Sequence, residues 1–220
     1  MRQRAGVRLA VALSFLTVTA LAAARPAAGG VDLAVEGQGG YFSMTASNSA
    51  SAIFGSNGGG TFGGAARATV WHGLFITAGA RTFSKSGERV FVASPGSPVQ
   101  KLGFPVDMTT TPIFFQAGYR FLQGGFFVPY LAVGGAVTKY KETSTVAGLP
   151  IDVNTSKGGF VGSLGVEVGR GLLRFAAEGG ISTAPNGLPT GGVAQVYNEN
   201  DAGGKYVIGK VIIAFHVGGK

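Results

Sequence analysis

With 45% apolar residues, only 13% charged residues and 39 glycines, this chain of 220 residues suits one domain but lacks the charge to cover an ordinary water-facing surface, since soluble domains carry about 25% charged residues. The formal net charge is +8, but three of the arginines (Arg2, Arg4, Arg8) lie in the first eight residues, and the remainder has no basic cluster with interleaved aromatics of the kind that contacts phosphates, so nucleic-acid binding is excluded. Cysteine is absent, which removes disulfides, Cys-ligated zinc, thiol catalysis and a lipid anchor.

Taken in chain order, the first element is an export signal. Three arginines lead into the nearly continuous apolar stretch from Leu9 to Ala24, which ends on Ala22-Ala23-Ala24. A basic start, a short apolar middle and a small-residue end describe a cleaved secretory signal peptide. Sixteen alanine-rich residues are short for a membrane anchor. Cleavage is expected after Ala24, with Ala28 as the second choice, leaving residues 25–220 as one β-barrel domain.

From Val31 the apolar period becomes two, and eight strands follow. The first, Val31 to Phe42, sets Val31, Leu33, Val35 and Tyr41 against Asp32, Glu36 and Gln38. The second and third, Thr61 to Val70 and Leu74 to Phe83, are separated by Trp71-His72-Gly73 and carry Arg67 and Arg81 on their polar faces. The fourth, Met108 to Phe121, sets Ile113, Phe115, Tyr119 and Phe121 against Gln116 and Arg120, and turns tightly into the fifth, Phe126 to Lys141. The fifth offers two candidate outer faces, one with Leu131, Val133 and Val137, the other with Tyr130, Ala132, Ala136 and Tyr140. The sixth, Phe160 to Gly169, and the seventh, Leu172 to Ile181, keep Glu167, Arg174 and Glu178 opposite their apolar residues; the eighth, Tyr206 to Val217, does the same with Lys210.

Tight links after the second, fourth and sixth strands alternate with long ones at Ser43 to Gly60, Ser84 to Asp107, Glu142 to Gly159 and Ser182 to Gly204. Short turns at one end and long loops at the other are the pattern of an up-and-down transmembrane barrel, with both termini in the periplasm and four long loops outside. No apolar run of about 20 residues follows the leader, and strands that span a bilayer must close into a barrel, because no backbone N–H or C=O can go unpaired in hydrocarbon. A soluble β-sandwich would also alternate, but its solvent face would carry many charges, whereas each polar face here carries one or two. The expected fold is therefore all-β, an eight-stranded antiparallel up-and-down transmembrane β-barrel after a cleaved signal peptide.

Eight strands enclose a space that side chains just fill. The alternation sends Glu36, Arg67, Arg81, Arg120, Glu167, Arg174, Glu178 and Lys210 into it, where they are expected to pair, because a buried charge without a partner is costly. The expected aromatic girdle at the two membrane interfaces comprises Tyr41, Trp71, Tyr119, Phe121, Tyr130, Tyr140, Phe160 and Phe215. The only histidines, His72 and His216, are distant from each other and lack the Ser and acid of a hydrolase or acyltransferase. No His or carboxylate spacing suits a metal, and Gly58 to Gly64 lacks the lysine of a phosphate loop. No enzyme activity, cofactor or metal is expected.

The stretch Pro129-Tyr130-Leu131-Ala132-Val133-Gly134-Gly135, the stretch Gly165-Val166-Glu167-Val168-Gly169, the leader and the apolar last strand ending near Phe215 resemble the small outer-membrane barrels of the OmpA/OmpX type, the outer membrane protein beta-barrel domain group. The resemblance covers roughly Val31 to Phe215. It implies a monomer in the cell outer membrane, bounded by outer-membrane lipid and lipopolysaccharide and inserted by the barrel-assembly machinery, although His216 to Lys220 follow the last aromatic residue. It leaves three roles open: a structural or surface-binding envelope protein with a charge-filled lumen, a narrow or gated pore, and a lipid A-modifying enzyme.

Overall fold

The computed structural model describes residues 31–93, 97–146, 148–189 and 196–217. The leader and both candidate cleavage sites lie outside them.

Eight strands form one closed antiparallel ring in chain order: β1 (Val31–Met44), β2 (Gly58–Trp71), β3 (Leu74–Phe91), β4 (Gln100–Arg120), β5 (Phe127–Val146), β6 (Leu149–Arg170), β7 (Leu173–Ser182) and β8 (Gly204–Val217). Closure is made by β8 pairing with β1 from Val31↔Val217 to Met44↔Gly204. A closed ring leaves no strand edge inside its height, and so satisfies the backbone of a chain too poor in charge to wet its outside.

Along β5 and β8 the burial pattern alternates nearly residue by residue. Phe62, Phe115, Leu131, Leu164, Val207 and Val211 face outward and are exposed, while Glu36, Arg67, Gln116 and Lys210 face inward and are buried. Such a surface inverts the polarity of a water-soluble sheet. On β5 the outward apolar positions run from Phe127 to Val137, and the next outward residues are Lys139 and Lys141. Ten residues of tilted strand cover about 25 Å along the barrel axis, the height of an outer-membrane apolar band.

The turn-side end is tight. His72 and Gly73 both have positive φ between β2 and β3, as two-residue hairpin turns with the twist of the flanking strands require. Arg170 pairs with Leu173 across Gly171 and Leu172.

The loop-side end departs from the sequence expectation in two ways. The segments Ser84 to Asp107 and Glu142 to Gly159, expected as long loops, largely continue the barrel strands. Pairs from Ser84↔Thr109 to Phe91↔Gln100 extend β3–β4, and pairs from Glu142↔Val153 to Val146↔Leu149 extend β5–β6. Above the apolar band the outward face meets water, so Ser84, Ser86, Asp107, Thr109, Asn154 and Ser156 replace the apolar alternation while the backbone ladder persists. The first loop also holds a helix, α1 (Ser47–Phe54), closed by Gly55 at φ 73, whose N–H bonds Ser51 O. The helix buries Ala50 and Ile53.

Candidate functional site

Inward positions of seven strands supply a continuous ion network. Glu167 on β6 is its centre: it meets Arg67 at 2.9 Å, Arg120 at 2.8 Å and Arg174 at 3.0 Å. Arg67 passes the chain to Glu36 at 3.3 Å, Glu36 to Lys210 at 3.1 Å, and Lys210 to Glu178 at 2.5 Å. Arg81 ends it, 3.7 Å from Glu178. All eight lumen charges read from the sequence thus lie on the inner wall and join one network, Arg174 at its more accessible edge. Buried ions survive only with near-complete compensation, and each carboxylate here takes two or more partners.

Aromatic rings fill the space between the charges. Arg67 lies over the Phe75 ring at 5.6 Å, Arg81 between Phe114 at 4.8 Å and Tyr206 at 3.7 Å, and Lys210 over Tyr130 at 5.5 Å. These rings need glycines opposite them. Gly165, the cross-strand partner of Tyr130, would put a Cβ 2.6 Å from that ring, and Gly180, the partner of Tyr206, one 2.4 Å from its ring. Inward glycines are thus ring seats as well as room for long charged chains.

Two members of the expected aromatic girdle are corrected. Tyr130 and Tyr140 point into the lumen, almost fully buried. Tyr130 Oη donates to Glu178 at 2.9 Å and Tyr140 Oη to Glu142 at 2.7 Å. The two tyrosines share their strand parity with Glu142, so the outer face of β5 is Leu131, Val133 and Val137. The other named aromatics divide by height, all on the outer surface: Tyr41 and Phe160 towards the loops, Trp71, Tyr119, Phe121 and Phe215 towards the turns. Tyr119 and Phe121 stack edge-on at 5.1 Å, as do Trp71 and His72 at 4.9 Å.

Above the ion network lies a layer that the sequence did not reveal. Phe42, Met44, Phe83, Met108 and Ile208 converge with Ala50 of α1 and with Ala184, Leu188 and Ala202 of the last loop to form an apolar plug. It is pinned from outside the barrel height. Glu199 accepts the N–H groups of Asn48 and Ser49 at the start of α1, at 3.3 and 2.8 Å, and Asp201 accepts those of Ala184 and Gly203, both at 2.7 Å. Lys85 donates to Ser56 and to the Gly58 carbonyl, and its burial lowers its pKa. A satellite of the network, Arg89 with Glu142 at 3.0 Å and Ser144 at 3.0 Å, also escaped the sequence reading, because it lies in a segment expected to be loop.

The two histidines are on the turn side. His72 occupies the β2–β3 turn, and His216 Nδ1 lies 2.7 Å from Asp32 on the neighbouring strand at the exposed mouth. Among the described residues no group of three His, Cys, Asp or Glu could hold a metal.

No family model and no curated protein matches the chain. Among solved structures, a major outer membrane protein from Thermus thermophilus is similar over 84% of this chain and 99% of that one, with TM-score 0.57 and 9% identity. Neisserial surface protein A gives TM-score 0.48 and 13% identity over 84% and 97% of the two chains. The N-terminal β-barrel domain of Pseudomonas aeruginosa OprF gives 0.47 and 11% over 84% and 97%. The first likeness shows the fold: the chain has the architecture of small outer-membrane β-barrels.

Proposed function

We propose that this chain is an outer-membrane barrel with a sealed interior, a structural envelope protein that displays an ordered crown, and neither a conduit nor an enzyme. The carrying observation is the stacking of two seals: the ion network crosses the lumen, and the apolar plug closes it on the loop side. In this reading the tight turns and both termini face the periplasm, the plugged crown faces outward, and lipid with lipopolysaccharide surrounds a monomer inserted by the barrel-assembly machinery. The outward apolar band of about 25 Å supports it. The His216–Asp32 pair stands at the periplasmic mouth, away from the outer leaflet where a lipid A-modifying enzyme would need its histidine.

Single-channel recording in planar bilayers tests the seal. The folded protein should give no stepwise conductance at neutral pH in molar salt. Regular ohmic steps would overturn the seal and favour the narrow or gated pore. A surface-binding role is supported by a separate observation: Phe91, Leu149 and Ile151 are exposed near the ends of the two extended hairpins, well beyond the apolar band, and exposed apolar groups of this kind favour contact with a partner.

A further inference from the structure

The charges in the lumen do not balance, and the imbalance has an address. The network holds five cations, Arg67, Arg81, Arg120, Arg174 and Lys210, against three carboxylates, Glu36, Glu167 and Glu178; with Arg174 at the more accessible edge, four of the cations are buried. The other carboxylates on inner faces are engaged elsewhere, Asp32 by His216 at the mouth and Glu142 by Arg89 and Tyr140 beside the plug. Among the four cations Arg81 is compensated least. Its single carboxylate contact, at 3.7 Å, is the longest in the network and goes to a Glu178 already held by Lys210 at 2.5 Å and by Tyr130.

Arg81 Nη1, the atom 3.7 Å from Glu178 Oε1, makes no hydrogen bond, and Arg81 is only 4% exposed. The same storey holds further unused donors. Thr138 of β5 pairs with Pro112 of β4, whose neighbour Ile113 pairs with Ala80 next to Arg81; one inward step above Pro112 lies Thr110. The Thr110 and Thr138 hydroxyls are both buried without partners. This storey lies between the ion network below and the apolar plug above. A guanidinium whose Nη1 makes no hydrogen bond, with buried hydroxyls on the same storey and more cations than carboxylates around it, has the chemistry of an anion site in a low-dielectric setting.

We propose that the barrel interior binds one small monovalent anion, of halide size, between Arg81 and the hydroxyls of Thr110 and Thr138. The anion neutralises the surplus cation and completes the lumen as a structural ion. This does not depend on which role the crown performs. Because the site is closed on both sides, the ion enters as the barrel forms and exchanges slowly.

Bromide is the probe. Protein refolded and crystallised in bromide should show an anomalous-scattering peak within hydrogen-bond reach of Arg81 Nη1; an ordered map with no peak there overturns the proposal. In solution, the folding equilibrium should rise about tenfold per tenfold rise in bromide at saturating concentrations, with ionic strength held by gluconate. General salt effects act on every variant, so the deciding quantity is the difference in bromide dependence between the wild type and Arg81→Gln, which should keep the general effect alone. Equal dependence in the two proteins contradicts the site. Should Arg81→Gln not refold, Thr138→Val retains every charge and should shift the dependence to higher bromide; an unshifted curve counts against the site.

Discussion

Glu167 carries more of the lumen than any other side chain, since one carboxylate 1% exposed compensates Arg67, Arg120 and Arg174 together. Replacing it by Gln keeps the volume and removes the charge that three guanidinium groups share, so Glu167→Gln should cost about 3–5 kcal/mol, the loss typical of breaking a buried ion cluster. Urea titration of the refolded barrel should show a larger drop in midpoint than for Lys210→Met, which removes a cation from a cation-rich interior. Steric fit is as specific as charge. Gly165→Ala places its Cβ against both the Tyr130 ring and the Ala177 carbonyl oxygen and should cost about 1–3 kcal/mol, and a second change, Tyr130→Leu, should recover only the ring's share of that loss in a double-mutant cycle. At this scale the sequence was legible wherever strand parity was unambiguous: Glu36, Arg67 and Glu178 oppose plainly apolar faces. Tyr130 and Tyr140 were misread because β5 is apolar on both faces in its lower half, and the residue that settles its parity, Glu142, lay just past the expected strand end.

Among the elements, the strands within the apolar band were readable and their continuations were not. Inside the band one face meets lipid and the other the lumen, so hydrophobic and polar residues must alternate. Above it the outer face of β3 to β6 meets water while the inner face packs against the crown, and without lipid outside, hydrogen-bonded strand looks like loop in composition. The helix α1 was equally hidden: it has no side-chain cap of its own, and the acceptor for its first N–H groups, Glu199, arrives from the last loop 150 residues later. That arrangement predicts a separable crown. Glu199→Ala should lose about 1 kcal/mol of capping and speed protease cleavage within residues 45–57, while leaving the urea midpoint of the barrel unchanged. A parallel fall in barrel stability would mean that the plug and the wall unfold as one unit.

For the molecule as a whole, low charge, abundant glycine and alternation pointed to a barrel, and the closed eight-strand ring follows from them. The plug over the lumen could not be read in the same way, because it assembles Phe42, Phe83, Met108 and Leu188 from β1, β3, β4 and the last loop, a convergence that exists only once the ring has closed. In the reading proposed above, this ring folds closed in a membrane, its apolar face towards lipid. The most direct test is the gel mobility of protein from the outer-membrane fraction, loaded in SDS with and without boiling, since a closed barrel resists cold SDS while a sheet that needs water on its outside does not. A closed membrane barrel should give a membrane-bound band that migrates differently when unboiled and shifts to the unfolded position on boiling; recovery in the soluble fraction with a single, boiling-independent mobility would rule that closure out.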